Sequence, residues 1–370
     1  MKQNFDVAAY IWPSYADDPR SRIFWEKGFG EWQSVLARKQ KFPDQELAPF
    51  PQWGFVNEAD PYVMQMQIEA ALDHGVNCFI YDWYWYDNRP FLEGCLTDGF
   101  LKAKNNNKMK FYLMWANHDV NHLWDIRNAD ENPGVIWQAG VNRSQFEYMA
   151  ERIIDKFLVH PSYYRIDNKP VFALYHLETL IKGLGSLKQT AAALKWMNTK
   201  AVSYGLEGIH FQLISRQSRK DLAGTGEGGG RTATEAEAIQ ALGIHSLTHY
   251  QWVHITDVNR NYPDVLEDVV SVWENLDQSH NIDYFPHVSI GWDNNLRFNE
   301  FRPTILKENT PENVEAALIK ARKYLEKRSD MVPLCTINSW NEWTEASYLQ
   351  PDKKYGYGYL EAVKRVFCGE

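Results

Sequence analysis

Eight short apolar runs, separated by segments with helical patterning, constrain the fold of this 370-residue chain more than any other feature. The runs are rich in Val, Ile, Phe and Tyr, and each has the length of a buried β-strand. They lie at residues 7–12, 76–82, 109–115, 170–175, 208–214, 244–250, 284–290 and 332–338. Their near-continuous hydrophobicity is typical of parallel strands that are covered by helices.

Helix-start signals occur between these runs. Asp60 and Pro61 form a favourable N-cap and first helical residue, and Thr310 and Pro311 do the same further along the chain. Eightfold alternation of strands and helices predicts an α/β fold, a (β/α)8 TIM barrel with long βα loops, built by residues 1–370 as a single domain. An open doubly wound sheet is the alternative. It is disfavoured because no glycine-rich dinucleotide-binding turn follows the first run.

Composition limits the partners and the compartment. The net charge of −9 argues against nucleic acid as a partner, because nucleic acid needs a basic surface. The sequence contains no uninterrupted apolar stretch of about 18 residues, so membrane insertion is not predicted. The chain starts without an apolar signal segment. A cytoplasmic protein is therefore expected from the chain as written, and a periplasmic or secreted one if a signal has been removed.

Polar and aromatic side chains follow most of the predicted strands. In a TIM barrel these positions form the mouth that binds the substrate. The predicted substrate-binding residues are Trp12, Asp82, Trp83, Trp85, Trp115, Asn117, His118, Tyr175, Trp292, Asp293, Asn338, Trp340, Asn341 and Trp343. Aromatic rings pack against the apolar faces of sugars, while amides and carboxylates bind hydroxyl groups. The pattern therefore indicates an oligosaccharide or polysaccharide substrate and no cofactor.

Glu342 and Glu345 are the strongest candidates for catalysis. If these two residues lie three apart in a helical turn, their Cβ atoms are about 5–6 Å from each other. Their carboxyl groups are then near enough to act on one substrate. Breaking a glycosidic bond requires a carboxylic acid at the leaving oxygen and a second carboxylate as base or nucleophile. Two unrelated surface acids are the alternative. The position of the pair after the eighth run, between Trp340 and Trp343, favours catalysis.

Other chemistries have weaker support in the sequence. His118, Asp119 and His122 lack a further convincing ligand, so no metal is predicted. The glycine-rich segment 224–230 lacks the Lys-Ser/Thr of a phosphate-binding loop and is interpreted as a lid or a flexible connection.

Several stretches resemble a known family. They lie at residues 28–32, 81–85, 115–117, 166–170, 291–294, 338–348, 355–357 and 359–362. In these stretches the chain resembles the WbsX-type polysaccharide-biosynthesis family, which is related to the endo-α-mannosidase family of glycoside hydrolases, family 99. The most specific feature is the Glu-Trp-Thr-Glu motif at residues 342–345.

The resemblance implies a metal-free (β/α)8 barrel with retaining chemistry at an α-linked sugar. It implies that Glu345 is the general acid/base at the leaving oxygen. Glu342 then assists the substrate's own 2-hydroxyl in attacking the anomeric carbon, which gives a 1,2-anhydro sugar. A covalent sugar–enzyme route, with a carboxylate as nucleophile, stays open.

Three functions follow from these observations. Hydrolysis of an α-linked glycan is the first. Glycosyl transfer in surface-polysaccharide assembly is the second, although a nucleotide-sugar donor would favour a basic or metal-binding diphosphate site that the sequence does not clearly show. The third is a non-catalytic glycan-binding barrel, which the presence of both Glu342 and Glu345 disfavours.

Overall fold

The core of the protein is a ring of parallel strands. The computed structural model describes residues 5–42, 50–121, 124–125, 127, 134–216, 221–222, 233–279 and 282–369. The ring strands are β1 Asp6–Ile11, β2 Cys78–Tyr86, β3 Lys110–Trp115, β4 Lys169–Leu174, β5 His210–Ile214, β6 Ser246–Thr248, β7 in two pieces, Asp283–Tyr284 and His287–Ser289, and β8 Leu334–Asn338. The predicted α/β barrel is thus confirmed.

Strand β7 closes the ring through its two pieces. The first piece pairs with β6 and the second with β8, while β1 pairs with both β2 and β8. The backbone between the pieces continues the contact, since the Phe285 N–H donates to the Leu247 carbonyl and the Pro286 carbonyl accepts from the Thr336 N–H. Proline has no N–H for a strand ladder, which explains why the predicted run at residues 284–290 is interrupted.

Helices surround the ring and connect its strands. They are α1 Trp32–Leu36, α2 Pro61–Asp73, α3 Arg143–Ile153, α4 Leu177–Leu184, α5 Leu187–Ser203, α6 Glu235–Leu242, α7 Tyr262–Ser279, α8 Pro311–Glu326 and α9 Gly358–Phe367. Two helical turns, Cys95–Gly99 and Phe100–Lys102, lie between β2 and β3. Asp60 and Thr310 cap α2 and α8 as the sequence predicts. None of the helices in the described ranges has the length and apolar character required to cross a membrane.

Strand β2 extends four residues beyond its predicted end at Asp82. Its last residues pair with an antiparallel segment, Arg89–Phe91. Asp87 and Asn88 both have positive φ angles, as expected for the tight two-residue turn of a β-hairpin. The hairpin therefore extends beyond the carboxyl end of the ring.

Other short strands form antiparallel pairs outside the ladder of parallel ring strands. They are Val120–Asn121 with Val135–Trp137, Arg165–Ile166 with β4, Asp221–Leu222 with Ala233–Thr234, and Asn341–Glu342 with Ser347–Tyr348.

Candidate active site

A compact loop after β8 fixes the two predicted catalytic glutamates. Asn341–Glu342 pairs with Ser347–Tyr348, and one helical turn, Trp343–Glu345, connects them. The Ser339 hydroxyl holds the two sides together, accepting from the Glu342 N–H at 2.7 Å and donating to the Ser347 carbonyl at 2.6 Å. The loop therefore places both carboxyl groups at the carboxyl end of the ring, where TIM-barrel active sites form.

Arg297 binds both glutamates with one guanidinium. Its Nη2 lies 3.2 Å from Glu342 Oε1, its Nη1 pairs with Glu345 Oε1, and its Nε donates to Glu31 Oε1 at 3.0 Å. All four side chains are buried, with exposed fractions of 10% or less. The structure therefore brings the two predicted glutamates together, facing the same cation.

The two glutamates have different surroundings. Glu342 receives hydrogen bonds from Tyr250 at 2.8 Å and from Asn338 at 3.5 Å besides its pair with Arg297. The Oε2 atom of Glu345 is buried and has no partner among the described residues. Burial, followed by the negative charge of Glu342, raises the pKa of the Glu345 carboxyl well above its usual range. Burial also raises the pKa of Glu342, but Arg297 and Tyr250 oppose it. Of the two side chains, Glu345 is therefore the one that more readily keeps its proton, and Glu342 is the one that more readily ionises.

Asp82 belongs to the same cluster. Its Oδ2 lies 2.8 Å from the Tyr250 hydroxyl, which is also 2.8 Å from Glu342 Oε2. Asn338, another predicted residue, contacts Glu342 and accepts from Gln251 at 2.9 Å. One tyrosine therefore connects carboxyl groups from β2 and from the loop after β8.

Three predicted aromatic residues gather around the carboxyl groups. The Tyr175 ring lies 5.5 Å from the Tyr250 ring, and the His118 ring lies 5.8 Å from Tyr175. Trp12 packs against the guanidinium of Arg297 at 5.3 Å. Burial lowers the pKa of His118 to about 4, so this imidazole is neutral near pH 7. Tyr175 and His118 form an aromatic wall with polar atoms, which suits a sugar ring, whereas Trp12 is 2% exposed and packs beside Arg297.

Trp83, Trp85 and Trp115 were predicted to bind substrate, but the structure turns them away from the carboxyl groups. Trp83 donates to Glu93 at 2.8 Å, while Trp85 and Trp115 pack against α3. Side chains alternate along a strand, so the inward direction of Asp82 turns Trp83 and Trp85 outward. These three indoles pack beneath the outer helices.

Trp340 and Trp343 also lie away from the mouth. Both are fully buried, at 0% exposure, so neither ring offers a face to a ligand. Trp340 donates to Gln67 at 2.8 Å, and Trp343 stacks on Tyr348 with ring centroids 3.8 Å apart. These tryptophans pack behind the loop that carries Glu342 and Glu345, which corrects their predicted role in sugar binding.

Asn341 and Asn117 tie backbone segments together. Asn341 bonds the backbone N–H and carbonyl of Trp12 and donates to Glu58 at 2.7 Å. Asn117 bonds the backbone N–H and carbonyl of His176. Both amides use their hydrogen-bonding atoms within the protein, so their predicted contact with substrate is replaced by a structural role.

The predicted residues after β7 orient a neighbouring loop. The Asp293 carboxylate accepts from the Asn295 N–H at 2.9 Å, and the Asp293 N–H donates to the Glu345 carbonyl at 2.8 Å. Trp292 is partly buried against the core. Asp293 therefore connects the Glu345 turn to the segment that carries Arg297.

Three important residues were not predicted from the sequence. Tyr250 ends the sixth apolar run, so the strand-end rule would have found it if that run had been included. Arg297 ends a helical turn, Asn295–Arg297, and Glu31 directly precedes α1, so neither lies at the end of a ring strand. Glu31 lies in the family-like stretch 28–32, and the sequence signal for Arg297 is electrostatic: several carboxyl groups at one mouth require a buried cation.

The metal prediction concerns residues that are only partly described. No group of three His, Cys, Asp or Glu side chains in the described ranges is arranged to hold a metal ion. His122 and the glycine-rich segment 224–230 lie outside the described residues.

Substituting Gly291 is expected to displace the loop that carries Glu342 and Glu345. A Cβ atom at this position would lie 2.2 Å from the Ala346 carbonyl oxygen, a backbone atom that cannot rotate away. Gly291→Ala should therefore lower the free energy of unfolding by about 1–3 kcal/mol, as overpacking does. Urea denaturation measures this, with Gly94→Ala as the control because its nearest contact would be an ordinary 3.7 Å. Equal stability of the two variants would contradict the expectation.

Comparison with known proteins places the chain in a family. Residues 7–363 match the family described as "Glycosyltransferase WbsX". Proteins described as "Uncharacterized protein WxcX", from two strains of Xanthomonas campestris pv. campestris, are 26% identical over 364 residues, or 97% of this chain. The chain spans about half the length of these relatives, 49%.

Solved structures share the fold at low sequence identity. The GH99 endo-alpha-mannosidase from Bacteroides thetaiotaomicron has a TM-score of 0.61 and 14% identity, covering 100% of this chain and 98% of that chain. A glycoside hydrolase-like protein has a TM-score of 0.64 and 15% identity, covering 99% and 94%. The family match includes almost the whole barrel and both Glu342 and Glu345. This chain therefore belongs to the WbsX glycosyltransferase family and has a fold similar to that of a GH99 endo-α-mannosidase.

Proposed function

We propose that this protein is a retaining glycoside hydrolase that cleaves an α-linked sugar in an oligosaccharide or polysaccharide, with residues 1–370 acting as one catalytic domain. The supporting observation is that two buried glutamates with different hydrogen-bond environments share one guanidinium at the mouth of the barrel. Cleavage of an acetal needs an acid and a base on the same substrate. Glu345 and Glu342 supply them.

Glu345 protonates the glycosidic oxygen in the first step. Its buried Oε2 has no partner among the described residues and is free to meet the leaving group. Glu342, held as a carboxylate by Arg297 and Tyr250, takes the proton of the sugar 2-hydroxyl. That hydroxyl oxygen then attacks the anomeric carbon, and the C–O bond to the leaving group breaks.

Water completes the reaction in the second step. Glu345, now ionised, takes a proton from the water that attacks the anomeric carbon, and Glu342 returns its proton to the 2-oxygen as the anhydro ring opens. Two successive inversions give overall retention. If Glu342 instead attacks the anomeric carbon directly, the stereochemical result is the same.

Glycosyl transfer is the second candidate, and the name of the family favours it. With a nucleotide-sugar donor, the group that leaves in the first step is a nucleoside diphosphate instead of a glycan hydroxyl. An acceptor sugar hydroxyl would replace water, and Glu345 would take its proton in the same way.

A glycan panel tests these proposals. The protein is incubated with α-linked oligosaccharides, with and without nucleotide sugars, and products are separated by chromatography. Hydrolysis predicts shorter glycans without a nucleotide sugar, and proton NMR should show the α-anomer first. Glu342→Gln, a neutral variant of similar shape, should abolish turnover while calorimetry still detects glycan binding. Products that require a nucleotide sugar would establish transfer instead, and full turnover by Glu342→Gln would refute both.

A further inference from the structure

Tyr250 contacts two carboxyl groups with a single hydroxyl hydrogen. Its oxygen lies 2.8 Å from Asp82 Oδ2 and 2.8 Å from Glu342 Oε2. A hydroxyl can donate only one hydrogen bond. The second contact is a hydrogen bond only if the other carboxyl group carries a proton and donates it to the tyrosine oxygen. Two carboxylates would leave one pair of oxygens in repulsive contact.

The surroundings identify which carboxyl group holds the proton. Glu342 also pairs with Arg297 and accepts from Asn338, and both contacts favour its charged form. Asp82 is 3% exposed, and its Oδ1 is buried without a partner among the described residues. Burying a carboxylate with one unsatisfied oxygen costs far more free energy than burying a neutral carboxylic acid in the same place.

The charges around Asp82 point the same way. The ionisable groups that interact with it are Tyr250, Glu342, Glu345, Arg297, Tyr10, Tyr84 and Tyr175. Arg297 is the cation among them, and its three nitrogens are already paired with Glu31, Glu342 and Glu345. Burial, followed by the charge of Glu342, raises the pKa of Asp82 well above its usual range.

We propose that Asp82 is a positioning residue that works as a neutral carboxylic acid, donating to Tyr250 so that Tyr250 donates to Glu342. Its role in turnover rests on the proposed function, because it acts on the carboxylate assigned as base. The acid proton of Asp82 fixes the direction of the Tyr250 hydroxyl, which keeps Glu342 ionised. No bond is made or broken at Asp82.

Infrared spectroscopy of the substrate-free protein tests the protonation directly. The difference spectrum between wild type and Asp82→Asn at pH 7 should contain the C=O band of a protonated carboxyl group that shifts in D2O. Asp87→Asn, which removes an exposed aspartate paired with Arg20, is the matched control and should remove only carboxylate bands. Loss of carboxylate bands in Asp82→Asn would overturn the proposal. This result does not depend on any glycan being cleaved, so it is separate from the proposed function.

The pH–rate profile then tests positioning. Asn at residue 82 can donate to Tyr250, so Asp82→Asn should lower kcat by about threefold, and Asp82→Ala by about tenfold more. Because both Asp82 and Asn are neutral, the limbs of the profile should keep their pH values in Asp82→Asn. Tyr250→Phe removes the donor to Glu342, so the acid limb should move up by about one pH unit. Movement of both limbs to lower pH in Asp82→Asn, as loss of a negative charge would cause, would overturn the proposal.

Discussion

Glu345→Gln is expected to cleave its natural glycan about 10²–10⁴ times more slowly than the wild type, the usual contribution of a general acid. Glutamine keeps the size of the side chain but has no proton to give to the leaving oxygen. An aryl glycoside with a good leaving group needs no such proton, so its first step should be slowed far less. Comparing kcat/KM for the two substrates measures this difference.

The pH dependence of the wild type should identify the same group. Burial and the charge of Glu342 raise the pKa of Glu345, so the acid is present at low pH and is lost as the pH rises through that pKa. Activity should therefore fall on the basic side, and this limb should be absent in Glu345→Gln. Glu361→Gln, at an exposed position on α9, is the control and should keep the wild-type profile. An unchanged basic limb in Glu345→Gln would exclude Glu345 as the acid.

Arg297→Met is expected to lower the free energy of unfolding by about 3–5 kcal/mol, the cost of leaving buried charges without their partner. Arg297 pairs with Glu31, Glu342 and Glu345, and none of these ion pairs is more than 10% exposed. Methionine fills most of the same volume, so the loss would reflect charge more than packing. Chemical denaturation measures the difference, and glycan cleavage should be lost as well.

The size of this loss should depend on pH. Without the guanidinium, protonation of Glu342, the glutamate held as a carboxylate, relieves uncompensated charge, so the difference from wild type should shrink as the pH falls and grow as it rises. Arg143→Met breaks a surface pair with Glu147 and should cost less than about 1 kcal/mol. If Arg297→Met were as stable as Arg143→Met at pH 8, the buried ion pairs of Arg297 would not stabilise the fold.

The sequence predicts the fold well because barrel strands are buried on both sides. Each of the eight runs overlaps a strand of the ring, and the capping signals at Asp60 and Thr310 open α2 and α8. The same double burial hides the direction of each side chain. In the run at residues 76–82, and at Trp83 and Trp85 directly after it, apolarity does not distinguish the barrel interior from the helix side.

The site is predicted only where its residues are close in sequence. Glu342 and Glu345 form a recognisable pair because one short loop carries both. Arg297 binds Glu31 across 266 residues of sequence, and no local spacing could reveal that contact. The ends of the predicted strands indicate where the mouth lies. Which residues of the mouth contact each other depends on ion pairs between residues far apart in the sequence.

Kinetics of the Glu342→Gln, Glu345→Gln and double variants, on one glycan that the wild type cleaves, most directly test whether the two residues act as a unit. If both groups work on one acetal, either substitution alone should abolish most of the rate enhancement, and the double variant should be no more than slightly slower. Wild-type rates in both single variants, or losses that simply multiply in the double variant, would contradict a shared catalytic role.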